Sequence, residues 1–501
     1  MQTNQLAGKT KLVNHISGWK PACIVFVFCA AAVISSPAQT FTTLADFDFT
    51  DGAAAYGSLV QGLDGNFYGG TGNGGINPKS PCGGARCGVI FKIAPGGTLT
   101  VVHYLCSRAP CADGFSPSPL VLAANRDFYG TTTNGGEASS NCPGPLNCGA
   151  VFAITPSGTL LTLHAFDGTD GLAPSGALVQ TSNGILYGTT GGGGANQAGT
   201  VFEITAGGTL TTLHSFDMTD GADPSAALVQ ASNGNFYGST NLGGLYGNGT
   251  IFKITPGGTL TSLHSFTIHV QSVSTLVQGA SGNFYGTTTS GDGNAQTCPP
   301  DGCGTVFEIT PQGTLTTLHK FVLTDGEFPN GPLVLGTDGN FYGTTVYGGV
   351  PQNGRCSSGC GTIFQITPQG TLTTLHVFQW PEGETPEAGL VQGTDGNFYG
   401  TTASSGDINC TGCGTVFSLS MGLGPFVRTL PISGSVGRSV KILGTDLTGA
   451  TSVTFNGTAA TFTVVSATEI TTTVPTGATT GAVKVVAPSG TLSSNVSFRV
   501  F

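Results

Sequence analysis

Charge is what this chain lacks most. Charged residues make up 8% of its 501 positions, against about 25% in an ordinary globular chain. The 16 Lys and Arg are outnumbered by 26 Asp and Glu, giving a formal net charge of −10. A nucleic-acid backbone or an anionic membrane surface needs a clustered basic footprint, so both are excluded as expected partners. Tryptophan is nearly missing too. Beyond Trp19 there is only Trp380, which leaves little of the indole stacking that sugar sites often use. No stretch carries the 3.6-residue apolar period of an amphipathic helix, and no apolar run of membrane-spanning length follows Ile34. Hydrophobic residues nevertheless reach 39%, too many for a disordered chain.

The first 38 residues stand apart. Lys9, Lys11 and Lys20 precede an apolar run from Ala22 to Ile34, and Ser36-Pro37-Ala38 offers small residues where a signal peptidase cuts. Residues 1–38 are therefore expected to be a secretory signal peptide, and the mature protein to be secreted, extracellular or in the cell envelope. Cys23 and Cys29 fall inside it. The other twelve cysteines form six close pairs: Cys82/Cys87, Cys106/Cys111, Cys142/Cys148, Cys298/Cys303, Cys356/Cys360 and Cys410/Cys413. An even count in an exported chain predicts disulfides. Zinc is the competing reading at Cys410/Cys413, but no second ligand pair shares that loop.

What is abundant is repetition. A Tyr-Gly marker recurs at Tyr68, Tyr129, Tyr187, Tyr237, Tyr285, Tyr342 and Tyr399, and each copy is followed by a Gly-x-x-Phe segment. A closing segment close to Leu-Thr-Thr-Leu-His follows six times, with its His at 103, 164, 214, 264, 319 and 376. The missing seventh stands at the front, as Thr40 to Phe47. Each unit holds four strand signals, separated by an Asn-Gly or Asp-Gly turn, a variable loop and a Pro-x-Gly type turn. The second repeat departs from the first of these turns with Asn125-Arg126-Asp127. The fifth position of the third strand varies (Lys92, Ala153, Glu203, Lys253, Glu308, Gln365, Ser418) and is expected to meet solvent.

Four antiparallel strands per unit predict a β-propeller blade. The expected fold is all-β: a seven-bladed β-propeller over 41–420, closed by pairing of its N- and C-terminal strands. Residues 41–47 would complete the blade that begins at Leu390. Strand parity puts the near-constant turns on one face. The variable, cysteine-paired loops fall on the other, together with the crossovers between blades and the Cys106/Cys111 pair. That second face is the expected functional surface.

After Met421 the pattern changes to short alternating segments, predicting a small Ig-like β-sandwich over 424–501. Gly437, Val440, Ile442 and Gly444, then Val453 to Gly457, Val474-Pro475 and Gly481 resemble an IPT/TIG domain, which implies an interaction or spacer module. Asp395-Gly396-Asn397-Phe398-Tyr399-Gly400-Thr401-Thr402 and Gly414-Thr415-Val416-Phe417, with their counterparts across 41–420, resemble the GloVer (Gloeo-Verruco) tandem repeat of bacterial exported proteins. That resemblance implies export and carries no activity with it.

No nucleophile–base pair, phosphate loop or metal signature appears, so no catalytic residue and no cofactor is assigned. The repeated His residues are expected to be structural, because a repeat spreads them over every unit. Phe-Asp-x-Thr-Asp-Gly at 166–171 and 216–221 makes Asp167, Asp170, Asp217 and Asp220 weak calcium candidates. Two carboxylates fall short of the six to eight oxygens calcium takes, and Asp with Gly in a turn accounts for them more simply. The expected function is extracellular binding or scaffolding, with a glycan or protein on the variable-loop face. A polysaccharide-active hydrolase or lyase with loop-borne acids is the alternative, and a purely structural envelope spacer the third.

Overall fold

Alternating apolar and polar residues with a turn every few positions leave this sequence little choice but antiparallel sheet. A computed structural model describes residues 39–75, 87–107, 111–136, 140–142, 148–268, 270–291, 298, 302–349, 356–404, 410 and 412–501. Residues 1–38, expected to be a signal peptide, and Cys82 lie outside the described residues. Among the described residues there is no helix, and so none long and apolar enough to cross a membrane.

Each repeat folds into its own antiparallel sheet of four strands, with a fifth short strand added in the second repeat. In the third repeat the strands are Val179–Gln180, Leu186–Thr190, Thr200–Ile204 and Leu210–Ser215. The first strand is only two residues long. The second is buried along its whole length, because both its faces meet neighbouring sheets. The third and fourth strands slip register by one residue, between Val201 and Phe202 in this repeat, and the same slip recurs in the others. The seventh sheet draws its fourth strand from the start of the chain. Thr40–Asp46 pairs antiparallel with Thr415–Ser420, Thr40 opposite Ser420 and Asp46 opposite Thr415.

Successive sheets are joined by one recurring ring contact. The marker Tyr of one sheet packs on the Phe before the marker Tyr of the next: Tyr187 on Phe236 at 4.2 Å, Tyr237 on Phe284 at 4.1 Å, Tyr285 on Phe341 at 4.1 Å and Tyr342 on Phe398 at 4.1 Å. The seventh sheet makes this contact with the first, Tyr399 stacking on Phe67 at 3.9 Å. A second set of contacts follows the same order. The Thr131, Thr189, Thr287 and Thr344 hydroxyls donate to carbonyls of the next repeat (Pro174, Ala226, Pro329 and Ala388), and Thr401 donates to Ala55 of the first at 3.1 Å. Offset ring pairs of this kind contribute about 0.5–1.5 kcal/mol each beyond the area they bury.

The fifth position of the third strand differs from expectation. It is half-buried in most repeats, and Ala153 is buried. Glu308 accepts the Tyr285 hydroxyl at 2.7 Å and the Asn283 amide at 2.8 Å, and Gln365 donates to the Tyr342 hydroxyl at 2.7 Å. These side chains fold back over their own sheet to satisfy the marker tyrosines, whose hydroxyls lie at the edge of the packed region.

The residues after Met421 build two four-stranded sheets and a short two-stranded one. Val440, Ile442 and Ile470 from one four-stranded sheet and Val453, Phe455, Val483 and Val485 from the other share one core.

Candidate functional site

The segment that enters each first strand turns sharply. One non-glycine residue per repeat sits at positive φ there: Ala54, Ser116, Ala173, Asp223, Gln271, Phe328 and Thr385. That conformation costs an ordinary residue about 1–2 kcal/mol, and neighbouring contacts hold it in place. The N–H of this residue donates to a carbonyl in the variable loop of the preceding repeat: Ala173 to Cys148, Phe328 to Cys303, Thr385 to Cys360 and Ala54 to Cys413, all between 2.9 and 3.1 Å. In the cysteine-free third repeat, Ala198 is the acceptor for Asp223.

Disulfides join Cys106 to Cys111, Cys142 to Cys148, Cys298 to Cys303, Cys356 to Cys360 and Cys410 to Cys413, and Cys87 is disulfide-bonded too. Cys148, Cys303, Cys360 and Cys413 carry the acceptor carbonyls just described, so a staple fixes the place where one repeat grips the next. The glycine that follows each of them is required by the same crowding. A Cβ on Gly414 would lie 2.1 Å from the Thr402 carbonyl oxygen.

Cys111, the second cysteine of the crossover pair, departs from this pattern. It lies in the crossover after the fourth strand of the first repeat, half-buried at a φ of +65°. Ala112 follows it where the other second cysteines are followed by glycine, and a Cβ at that place bars the close backbone approach that Gly414 makes. The Cys111 carbonyl instead accepts two N–H groups of the second repeat, Gly114 at 2.9 Å and Gly136 at 3.0 Å. The Cys111 bond to Cys106 therefore pins the crossover to the start of the second repeat's variable loop, because Gly136 stands just beyond that repeat's second strand, Phe128–Asn134.

Just after the positive-φ residue, seven segments, one from each repeat, line a single cavity of about 460 Å³. Serine, alanine, glycine and proline make up most of the wall. Many of its hydroxyls are already engaged in joining repeats. Ser58 accepts the Gly389 N–H at 3.0 Å, Thr275 accepts that of Ala227 at 3.1 Å, and Ser175 donates to the Ser225 carbonyl at 3.1 Å. The position three residues before the first-strand leucine faces the cavity with a different residue in several repeats: Tyr56, Ser175, Ser225, Asn330 and Glu387. Burial raises the Glu387 carboxyl above its ordinary value. Burial, then the nearby Glu387 charge, raises the Tyr56 phenol. The cavity shares lining residues with two neighbouring depressions, one adding Asn73 and Asn134 and the other Phe328 and Tyr347. Asn73, Asn134 and Tyr347 lie where second strands give way to the variable loops.

The residues singled out in the sequence lie elsewhere. His103, His164, His214, His319 and His376 sit on the fourth strands and each meets a carboxylate six residues on, except that Asp113 is ten from His103. Asp170 accepts from His164 at 2.6 Å and from the Asp167 N–H at 3.0 Å, while Asp167 accepts from the Thr169 N–H and hydroxyl. Asp217 and Asp220 repeat this arrangement with Thr219 and His214. The Thr169 and Thr219 hydroxyls, ahead of the backbone donors, hold the Asp167 and Asp217 carboxyls below the ordinary range. Each pair is thus a capped turn whose oxygens face protein donors. Cys356, Cys360 and Glu384 come together as well, but the two sulfurs are bonded to each other. Sequence reading did not single out Tyr56, Asn330 or Glu387. The available signal was a variable position inside an otherwise regular segment, directly after Pro329 in one repeat and Pro386 in another.

The opposite ends of the strands are occupied. The C-terminal module rests on first turns of five repeats. Thr468 donates to the Leu63 carbonyl at 2.7 Å, Arg438 to Ser182 at 2.7 Å and Arg499 to Ser232, while the Phe426 N–H donates to Thr394 at 2.9 Å. In the second repeat Arg126 bonds Glu469 through both guanidinium nitrogens at 2.7 Å. The half-buried Arg428 bonds the Gln392 carbonyl, and desolvation pulls its guanidinium down to about 10.

A family profile described as the Gloeobacter/Verrucomicrobia repeat matches residues 80–298 and 269–465. No curated protein matches the chain. Among solved structures, the chain is similar to the extracellular domain of a Bacteroides thetaiotaomicron protein assigned as a one-component system, at 10% identity and TM-score 0.46, over 92% of this chain and 59% of that one. It is also similar to a Bacteroides uniformis protein assigned as a 6-phosphogluconolactonase, at 14% identity and TM-score 0.41, over 64% of this chain and 83% of that one. A third similar structure is a Xanthomonas campestris gluconolactonase, at 11% identity and TM-score 0.37, over 77% of this chain and 90% of that one.

Proposed function

The chain belongs to the Gloeobacter/Verrucomicrobia repeat family, and from that premise we propose an exported binding or scaffold protein. In this reading residues 41–420 form a closed seven-bladed β-propeller and residues 424–501 an IPT/TIG domain. The variable-loop face binds an extracellular glycan or protein. Pairing of Thr40–Asp46 with Thr415–Ser420, the Tyr399–Phe67 stack and one cavity lined by all seven repeats support the ring. The disulfides and the signal-like first 38 residues support export.

One observation carries the choice of face. The C-terminal module takes the side of the regular turns, and the cavity shares lining residues with depressions bordered by the variable loops. A polysaccharide-active enzyme fits less well. Glycoside cleavage needs two placed carboxyl groups, and Glu387 is the single acid among the described residues lining the cavity. Hydrogen exchange of the mature chain with and without a bound partner tests the reading. Protection is expected at residues 72–75, 133–136 and 346–349. Protection confined to the turn at 279–283 would overturn it.

A further inference from the structure

The polar groups of the axial cavity fall into two kinds. Ser58, Ser175 and Thr275 are committed to bonds between repeats. The Tyr56 hydroxyl, the Asn330 amide and the Glu387 carboxyl line the same cavity, and no partner is found for them among the described residues. Asn330 belongs to the sixth repeat, Glu387 to the seventh and Tyr56 to the first. The pairing of first and last repeats makes these three consecutive, and the Glu387 charge is near enough to raise the Tyr56 phenol. Such a partly buried carboxylate is costly unless a ligand supplies donors. No cationic side chain lines the cavity among the described residues, so the carboxylate is open to hydroxyl donors from a bound molecule.

We propose that the axial cavity is a site for one neutral sugar ring of a glycan, held by Glu387, Asn330 and Tyr56. The Glu387 oxygens accept a pair of vicinal hydroxyls, the Asn330 amide donates to a ring or hydroxyl oxygen, and the half-exposed Tyr56 ring covers an apolar sugar face. The volume of about 460 Å³ falls within the range of about 300–1,000 Å³ for small-ligand pockets. A wall with one acid and no base disfavours a phosphate, and a carboxylate, an amide and an aromatic ring together match the hydroxyls and apolar face of a sugar. This inference rests on the binding reading given above and narrows it to a ligand class and three residues.

The test uses the mature full chain on an array of neutral hexose and pentose oligosaccharides, then titration with the strongest binder. Glu387→Gln, Asn330→Ala and Tyr56→Ala are each expected to weaken binding about tenfold or more, with melting temperatures no lower than that of the parent. Retention of affinity within about twofold in all three, while the parent binds, overturns the axial site and leaves glycan binding on that face intact. Failure of the parent to bind any neutral oligosaccharide overturns the sugar assignment outright. Protein capture on the variable-loop face then decides the broader reading on its own. If Tyr56→Ala melts early, Tyr56→Leu, which keeps bulk and loses the aromatic face, takes its place.

Discussion

Arg126 and Glu469 form a two-pronged ion pair, 2.7 Å on each side, between the first turn of the second repeat and the C-terminal module. Glu469 is 3% exposed and Arg126 is 47% exposed. The arginine stands where other repeats place glycine. Its φ of +82° is that of Gly65, also +82°, so it accepts a conformation unfavourable to a side chain in order to reach the module. The departure of Asn125-Arg126-Asp127 from the repeat is thereby explained.

Arg126→Gly relieves about 1 kcal/mol of backbone strain but leaves Glu469 buried without its partner. Stranding a buried charge in a broken pair costs about 3–5 kcal/mol, less here because the arginine is half-exposed. A net loss of about 1–2 kcal/mol is expected, seen by calorimetry as earlier melting of the module. Pairing it with Glu469→Gln should recover most of the loss. If the double variant melts no higher than Arg126→Gly, the ion pair is not what holds the module here.

Deletion of residues 41–48 removes the strand paired with Thr415–Ser420. It also removes Phe41, which stacks on His376 at 3.9 Å and lies 5.4 Å from Phe417. Each buried aromatic or aliphatic side chain is worth about 1.5–3 kcal/mol, and the exposed edge of the seventh sheet invites pairing between molecules. Lower melting and concentration-dependent aggregation are expected in light scattering. An unchanged melting curve with a clean monomer would contradict the closed propeller.

Replacing Cys410 and Cys413 by serine opens the loop whose Cys413 carbonyl accepts the Ala54 N–H. Closing so short a loop is worth about 2 kcal/mol on the chain-entropy estimate. Because this junction joins the last repeat to the first, faster exchange is expected at the Ala54 amide. Exchange changes limited to residues near 410 would show that the staple serves its own loop alone.

The Glu387 carboxyl is raised by burial, and the facing Tyr56 phenol by burial and by the Glu387 charge. A carboxyl raised in the folded state binds its proton more tightly there than in the unfolded chain. Its stabilising contribution is full below the ordinary carboxylate value and fades as pH rises through the raised one. Glu387→Gln should therefore leave melting nearly unchanged near about pH 4 and raise it slightly, by about 1–3 °C, near neutrality. Thermal melts across that range check the sign, and a neutral-pH decrease would show that the carboxylate is stabilised by a bond it needs.

Local chemistry made much of the scaffold legible. The Asn-Gly and Asp-Gly turns, the buried second strands and the cysteine pairs are short-range patterns, repeated often enough to separate rule from accident. The offset of Thr40 to Phe47 from its repeat pointed to the strand it joins, because a lone fourth strand needs a third. The half-buried state of Glu308 and Gln365 was not legible, since a polar side chain at a strand surface can turn to water or to a tyrosine with equal ease on paper. Cys111 was legible as a bonded cysteine, whereas its carbonyl partners Gly114 and Gly136 depend on how the crossover folds over the next repeat. The Asp167 and Asp217 segments read more simply as turns than as an ion site, but which donor meets each oxygen depends on where Thr169, Thr219, His164 and His214 are placed.

The sequence by itself determined the strand order, the turn positions, the family and the placement of the variable loops at one end of the strands. All of these follow from residues close together in the chain. Only the tertiary structure decided that Tyr56 and Glu387, from opposite ends of the repeat array, line one cavity, and that the C-terminal module rests on the regular turns through Arg126 and Glu469. Those relationships join residues that occur once, across long stretches of chain. Periodicity carries no information about them, because only the packing of whole sheets brings such residues within reach.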